Sequence, residues 1–250
     1  MGCSRYTSTH RVATYNILSE ALAEPGWFAS CERSVLRAGT RIDKIKQQLQ
    51  TEIDQDAVIC LQELSRNFTR ELHTFLSRQG YHLISSPYGE QNNGYMGVGL
   101  CFPTSKYELK ATEMNRLSKF IKLTERHAKR KASLGGPEDL GNVLSPEKMG
   151  LAKNKANVML SVRLKDKSED HGKEFCVNTY HLPCAFRKPH IMTVHSALSV
   201  DVASKFALST PFVLAGDFNI TPDSSFYKMI TTGKNLEMFV ASHDYVLPFC

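Results

Sequence analysis

The sequence predicts an α/β protein with a two-sheet core and helices outside it. Three observations carry this. Short apolar, β-forming runs alternate with helical patterns toward both ends of the chain, while the middle runs strand after strand, unlike a doubly wound parallel sheet. The run Phe212–Leu214, closed by Gly216, has the composition of a buried strand and delivers Asp217 and Asn219 at its end. Other strand ends carry polar cargo of the same kind, as they do at the C-terminal edge of open α/β sheets.

Taken in order, residues 11–18 alternate and are rich in β-formers, predicting a strand that ends near Asn16. Thr40 and Asp43 have the spacing of a capping box. The helix they would open has Ile42, Ile45, Leu49 and Ile53 on one face. Residues 57–61 read as a buried strand ending on Gln62 and Glu63. A second amphipathic helix (Leu72, Phe75, Leu76) leads to a strand over 81–84. A turn at 89–94 opens a strand over 95–102, and another strand covers 107–112. Between 115 and 155 the pattern decays into a basic stretch and a Gly/Pro-containing linker, read as an insertion. Strands resume at 157–164 and 174–180, the second ending on His181. A helix then opens at Pro189, with Ile191, Val194, Leu198, Val202 and Phe206 turned to the core, and feeds the strand at Phe212. Pro222 opens a last helix.

At 250 residues, 42% hydrophobic and 22% charged, the chain is an ordinary globular one, expected as a single domain over 11–250 after an N-terminal tail over 1–10. No apolar run is long enough to span a membrane and residues 1–10 lack a signal-type apolar region, so an intracellular protein is expected, cytoplasmic with nuclear and mitochondrial locations left open. A monomer is expected, with no sequence feature that fixes the oligomeric state. Gly2 and Cys3 hint at acylation, although Tyr6 departs from that pattern. The seven cysteines form no C-x-x-C pair, which argues against a zinc knuckle or a disulfide framework. The net charge of +6 favours an anionic partner. Its excess is concentrated at 116–131, where Lys119, Lys122 and Arg126 are candidate phosphate contacts, with Arg187 elsewhere.

Asn16, Glu63, His181, Asp217 and Asn219 all fall at strand ends, and side-by-side strands would bring them to one rim. Oxygen ligands with few carboxylates suit Mg²⁺ or Mn²⁺, which keep several waters and complete their shell with substrate phosphate. Asp217 would then orient or deprotonate a water for in-line attack. Taken singly, each residue also has a plain structural use: Asn16 and the G-D-x-N pair as turn formers, Glu63 as a solvated strand end, His181 as a structural histidine.

T-Y-N-I-L at 14–18, L-Q-E at 61–63, Y-H-L at 180–182 and G-D-F-N at 216–219 together resemble the signature series of the endonuclease/exonuclease/phosphatase superfamily. The run T-R-I-D-K-I-K from Thr40 resembles its deadenylase-like branch of nocturnin-, Angel- and 2′,5′-phosphodiesterase-like proteins, and G-Y-M-G-V-G-L at 94–100 its exonuclease III-type motif. The resemblance implies a four-layer α/β/β/α, DNase I-like sandwich and Mg²⁺-dependent phosphodiester hydrolysis, acting on RNA 3′ ends or oligoadenylate. It implies Glu63 as direct metal ligand with Asn16 beside it and Tyr95 on the scissile phosphate. His181 would act as acid or stabilise the pentacovalent phosphorus, Asp217 would position the water, and Asn219 would hold the phosphate. The superfamily also cuts inositol phosphates, lipids and abasic DNA. Its last motif, Ser-Asp-His, is not matched: Ser242-His243-Asp244 has the wrong order and stands too close to G-D-F-N. A C-terminally incomplete domain is therefore expected, either a nuclease in its parent protein or a module that binds phosphates without cutting them.

Overall fold

The computed structural model describes residues 9–121, 146–168 and 172–232. The chain divides into two compact units, Met1–Leu109 with Lys165–Lys173, and Lys110–Leu164 with Glu174–Cys250. Among the described residues it holds two four-stranded sheets and their helices. The first sheet, ordered β1-β2-β4-β3, consists of β1 (Val12–Asn16), β2 (Val58–Leu64), β3 (Tyr81–Pro87) and β4 (Gly97–Pro103). The second, ordered β5-β6-β7-β8, consists of β5 (Tyr107–Arg116), β6 (Val158–Asp166), β7 (Glu174–His181) and β8 (Phe212–Asp217). Each sheet has a parallel pair, β1 with β2 and β7 with β8, and β4 runs antiparallel to both of its neighbours.

A parallel pair needs a crossover, and here the crossovers are helical. Helix α1 (Ala38–Ile53) joins β1 to β2, and α2 (Arg66–Arg78) joins β2 to β3. Both lay an apolar stripe on the first sheet: Ile42, Leu49 and Ile53 from α1, and Phe68, Leu72 and Leu76 from α2, meet Ile59, Leu61 and Leu83. Burying each such side chain contributes about 1.5–3 kcal/mol, which is why the three-four spacing was readable. The exit of α1 is pinned to β1 by Arg11, whose Nε and Nη2 donate to the Glu52 carboxylate at 2.7 and 3.1 Å. That guanidinium holds the buried Glu52 carboxyl below its ordinary pKa.

In the second unit the crossover is α4 (Pro189–Ala207), between β7 and β8, with proline at its first turn. Of the expected stripe Ile191, Val194, Val202 and Phe206 are buried and Leu198 is half-buried, and Met192, His195, Ser196, Ser199 and Asp201 are buried too, because α4 is packed on further sides by α3 (Pro146–Lys153) and α5 (Ser225–Thr232). His195 is fully enclosed. Its Nδ1 accepts from the Tyr180 hydroxyl at 2.7 Å and its Nε2 donates to the Ala152 carbonyl at 3.0 Å, tying β7, α4 and α3 together.

Four local expectations are corrected. Thr40 does not cap α1, which is capped three residues earlier, at Arg37, and by no side chain, so the spacing alone was misleading. Tyr95 is not in a strand: Gly94 and Tyr95 both take left-handed backbone (φ 68° and 53°) and β4 starts at Gly97. The predicted insertion is entered as a strand, since β5 continues to Arg116. A 3-10 turn over Leu117–Phe120 follows, with Leu117 and the next residue Ile121 buried and Phe120 40% exposed. Finally β8 is not fully buried. It lies at the edge of its sheet among the described residues, with Phe212 and Val213 each 40% exposed, and a three-residue apolar run reads alike for central and edge strands.

Candidate active site

Glu63 is placed by a defect in its strand. The β2–β4 register runs Gln62↔Val98 and then Leu64↔Gly97, so Glu63 is the extra residue of a β-bulge and has no ladder partner. A bulge re-aims a side chain, and the cost here is a left-handed backbone (φ 56°) at a non-glycine residue. Its carboxylate is held by donors from the first strand and the loop after it. Asn16 Nδ2 donates to Oε1 at 2.8 Å and the Ser19 amide to Oε2 at 3.3 Å. The other end of the Asn16 amide accepts from the Leu18 amide at 2.9 Å, which fixes the side chain as an orienting group. Parallel pairing explains the meeting, since Asn16 is in register with Gln62, one residue before Glu63.

Beneath this pair lies a residue the motifs contained but the site assignment left out. Arg41 Nη2 donates to the carbonyls of Ile17 and Leu18 at 2.6 and 2.7 Å, clamping the turn that presents Asn16. Burial lowers its pKa, and the charges of Glu20 and Glu63 oppose that fall. The Glu20 carboxylate accepts from Ser65, the N-cap of α2, so the same polar cluster ties the turn to the residues after Glu63. The signal was an arginine inside an apolar helical stripe, in T-R-I-D. A guanidinium there must find acceptors.

The second unit carries the other group. His181 and Asp217 are register partners at the C-terminal ends of the parallel strands β7 and β8, with Nε2 and Oδ2 3.8 Å apart. Asp217 Oδ1 accepts from the Asn219 amide at 2.9 Å, so the G-D-x-N run does form an Asx-turn. It also leaves Oδ2 turned to the histidine. Asn219 sits at φ 50° with Nδ2 donating to the Leu182 carbonyl at 3.0 Å, and Asn157 Nδ2 donates to the His181 carbonyl at 2.8 Å. Gly216 is obligatory: at φ 148°, a Cβ there would stand 1.9 Å from the Tyr180 carbonyl oxygen. Glu63, Tyr95 and Asn219, three residues singled out by motif, are all left-handed, and such strain gathers at functional positions.

The remaining candidates separate. Tyr95 is 38% exposed and has the Arg66 guanidinium over its ring, 4.4 Å from the centroid. Lys119 is exposed on the 3-10 turn, and Arg187 is exposed in the loop between β7 and α4. Lys122, Arg126 and the Ser242–Asp244 string lie outside the described residues. No group of three or more His, Cys, Asp or Glu able to hold a metal occurs among the described residues. A cation at Glu63 would therefore rest on one carboxylate. Its two oxygens have about four acceptor sites, and two are taken by Asn16 and Ser19, so the donor set fits an ion that keeps most of its waters.

Comparison with known proteins gives a consistent result. A profile of the Endonuclease/Exonuclease/phosphatase family matches residues 13–249. Nocturnin of Drosophila melanogaster is 28% identical over 231 residues, 88% of this chain and 30% of that protein. Protein angel homolog 2 of Mus musculus is 26% identical over 89% of this chain and 37% of its own length, so the chain spans about a third of these relatives. The crystal structure of ANGEL2, a 2′,3′-cyclic phosphatase, in complex with adenosine-2′,3′-vanadate matches with TM-score 0.64 at 25% identity, over 87% of this chain and 55% of that one. The human Nocturnin catalytic domain with bound sulfate matches with TM-score 0.59 at 18% identity, over 94% and 74%, and shares the fold. The architecture is thus the α/β, DNase I-like one of these neighbours.

Proposed function

This chain belongs to the Endonuclease/Exonuclease/phosphatase family, and from that premise we propose that it hydrolyses phosphodiesters at the 3′ ends of RNA or oligoadenylate with Mg²⁺ or Mn²⁺. The observation that carries the reading is Glu63, a carboxylate set out of its ladder by a bulge and oriented by Asn16 and Ser19. Glu63 would hold the metal, with Asn16 fixing the carboxylate. The bound metal would supply charge neutralisation on the phosphoryl oxygens and the leaving oxygen.

The chain's own groups account for the rest. Asp217 takes a proton from water as the water oxygen attacks phosphorus, the P–O ester bond breaks, and the departing oxygen is protonated by solvent water. His181, 3.8 Å from Asp217 Oδ2, serves as donor toward the phosphoryl oxygens, and Asn219 has a second amide hydrogen to offer them. A second reading, hydrolysis of terminal 2′,3′-cyclic phosphates, is favoured by the similarity to ANGEL2, a 2′,3′-cyclic phosphatase. Both are phosphodiester cleavages at a ribose terminus.

A substrate panel at fixed Mg²⁺ tests the proposal, with 3′-oligoadenylate RNA, RNA ending in a 2′,3′-cyclic phosphate, abasic DNA and an inositol phosphate. The expected result is turnover of one or both RNA substrates, reduced at least 100-fold by Glu63→Ala, because a metal contributes several kcal/mol to the transition state. Binding of RNA without turnover of any of them would make the chain a phosphate-binding module.

A further inference from the structure

The cleft lined by Tyr95 and by Leu64, the residue after Glu63, has a chemistry of its own. It encloses about 500 Å³, the size range of a small-ligand pocket, and lies wholly within the first unit between the start of α2 and the β3–β4 connection. Its floor is apolar, formed by Leu64 and Val98. Its walls are Arg66 and Arg70 on successive turns of α2, facing Tyr88 and Tyr95, and no carboxylate lines it. Arg66 is held over the Tyr95 ring with its centroid 4.4 Å away, while Arg70 is engaged only by the Asn67 side chain at 2.9 Å among the described residues.

Two fixed positive charges over an apolar floor ask for an anion with a flat apolar part. Inorganic phosphate would leave the floor unused, and a neutral base would leave the arginines unused. A nucleotide satisfies both: aromatic side chains and guanidinium planes are the surfaces on which single-stranded bases stack, and arginine binds phosphate through paired N–H groups. We propose that Arg66, Arg70, Tyr88 and Tyr95 form a nucleotide-binding subsite, which takes one base and its phosphate from a single strand next to Glu63. Besides the arginines and tyrosines, its polar side chains are the Thr69 and Ser85 hydroxyls, which can donate or accept alike, so the site selects a nucleotide over a bare phosphoester and not one base over another. It rests on the hydrolase reading for the polymer it serves, but its chemistry is independent of catalysis.

The test is equilibrium binding to the full chain in EDTA, so that no hydrolysis intrudes, with adenosine 5′-monophosphate, adenosine and inorganic phosphate as separate probes. Adenosine 5′-monophosphate is expected to bind at least tenfold tighter than either half. Arg66→Gln and Arg70→Gln should each weaken it about tenfold, Arg70→Lys less, and Tyr95→Ala more than Tyr95→Phe, with unchanged melting curves showing that the variants fold. Equal affinity for phosphate and adenosine 5′-monophosphate, or arginine variants that bind like wild type, would overturn the proposal. If the nucleotide binds as described but the metal-loaded protein cuts none of the substrate panel, the hydrolase reading fails and this subsite stands.

Discussion

Gly216 and Asn219 bracket Asp217 and show how closely single residues constrain the second group. Replacing Gly216 with alanine sets a methyl group 1.9 Å from the Tyr180 carbonyl and imposes a φ of 148° on an L-residue. The expected loss is about 3 kcal/mol of stability, read from the midpoint of denaturant unfolding, and a cost under about 0.5 kcal/mol would refute the close approach. At this scale the motif positions were legible because hydrogen-bonding side chains at strand ends are unusual in combination. What makes them work was not. The bulge at Glu63 shifts register by one residue and leaves no mark in composition, and the need for Arg41 emerges only once the Ile17 and Leu18 carbonyls are seen to face it.

Among elements, the junction of β7, α4 and α3 has a stability that follows pH through a buried imidazole. Burial lowers the His195 pKa from 6.5 to about 4, because a charged imidazole would forfeit solvation while Nδ1 is committed to accepting from Tyr180. The unfolded chain therefore takes up a proton before the folded one. Stability from this site is complete above pH 6.5 and is lost as pH falls toward 4, by an amount on the order of 3 kcal/mol. Unfolding midpoints across that range should fall for wild type and fall less for His195→Gln; parallel profiles would rule this out. The helix itself was legible from its apolar spacing and its opening proline. The histidine was not, since a polar residue on a helix looks solvent-facing until α3 and α5 are known to cover that side. The edge position of β8 was hidden for a related reason: a strand's neighbours are set by partners distant in sequence.

For the whole molecule, the net charge of +6 predicts affinity for polyanions that weakens with salt. Arg116, counted in the basic run, is committed elsewhere: its Nε donates to Ser118 Oγ at 3.0 Å and to the Lys155 carbonyl at 3.1 Å. Lys119, Lys122 and Arg126, with Lys129 of the same basic run, are the candidates for contact with a single-stranded RNA, Lys119 on the described turn and the other three outside the described residues. Their joint replacement by glutamine should flatten the dependence of log K for single-stranded RNA on log salt by roughly 0.7 per lost contact. An unchanged slope would assign the run to solubility alone. Fold class was legible at this scale because alternation of strand and helix patterns is a property of the whole chain. The tertiary use of each charge was not, because a solvated arginine and an anchoring one have the same letter.

The backbone at Glu63 has one more consequence. On the proposed function, a left-handed carboxylate residue is a compromise in which chemistry is kept at the expense of durability, so the best residue for folding there is not the best for function. Glycine normally weakens a strand relative to alanine by roughly 0.5–1 kcal/mol, through its greater freedom when unfolded. At φ 56° the order should invert, with Glu63→Gly more stable than Glu63→Ala by about 1 kcal/mol in thermal or denaturant unfolding. Selection for a sturdier protein without regard to turnover would then erase this carboxylate early, and a natural homologue carrying glycine at this position would be expected to have given up hydrolysis while keeping its shape.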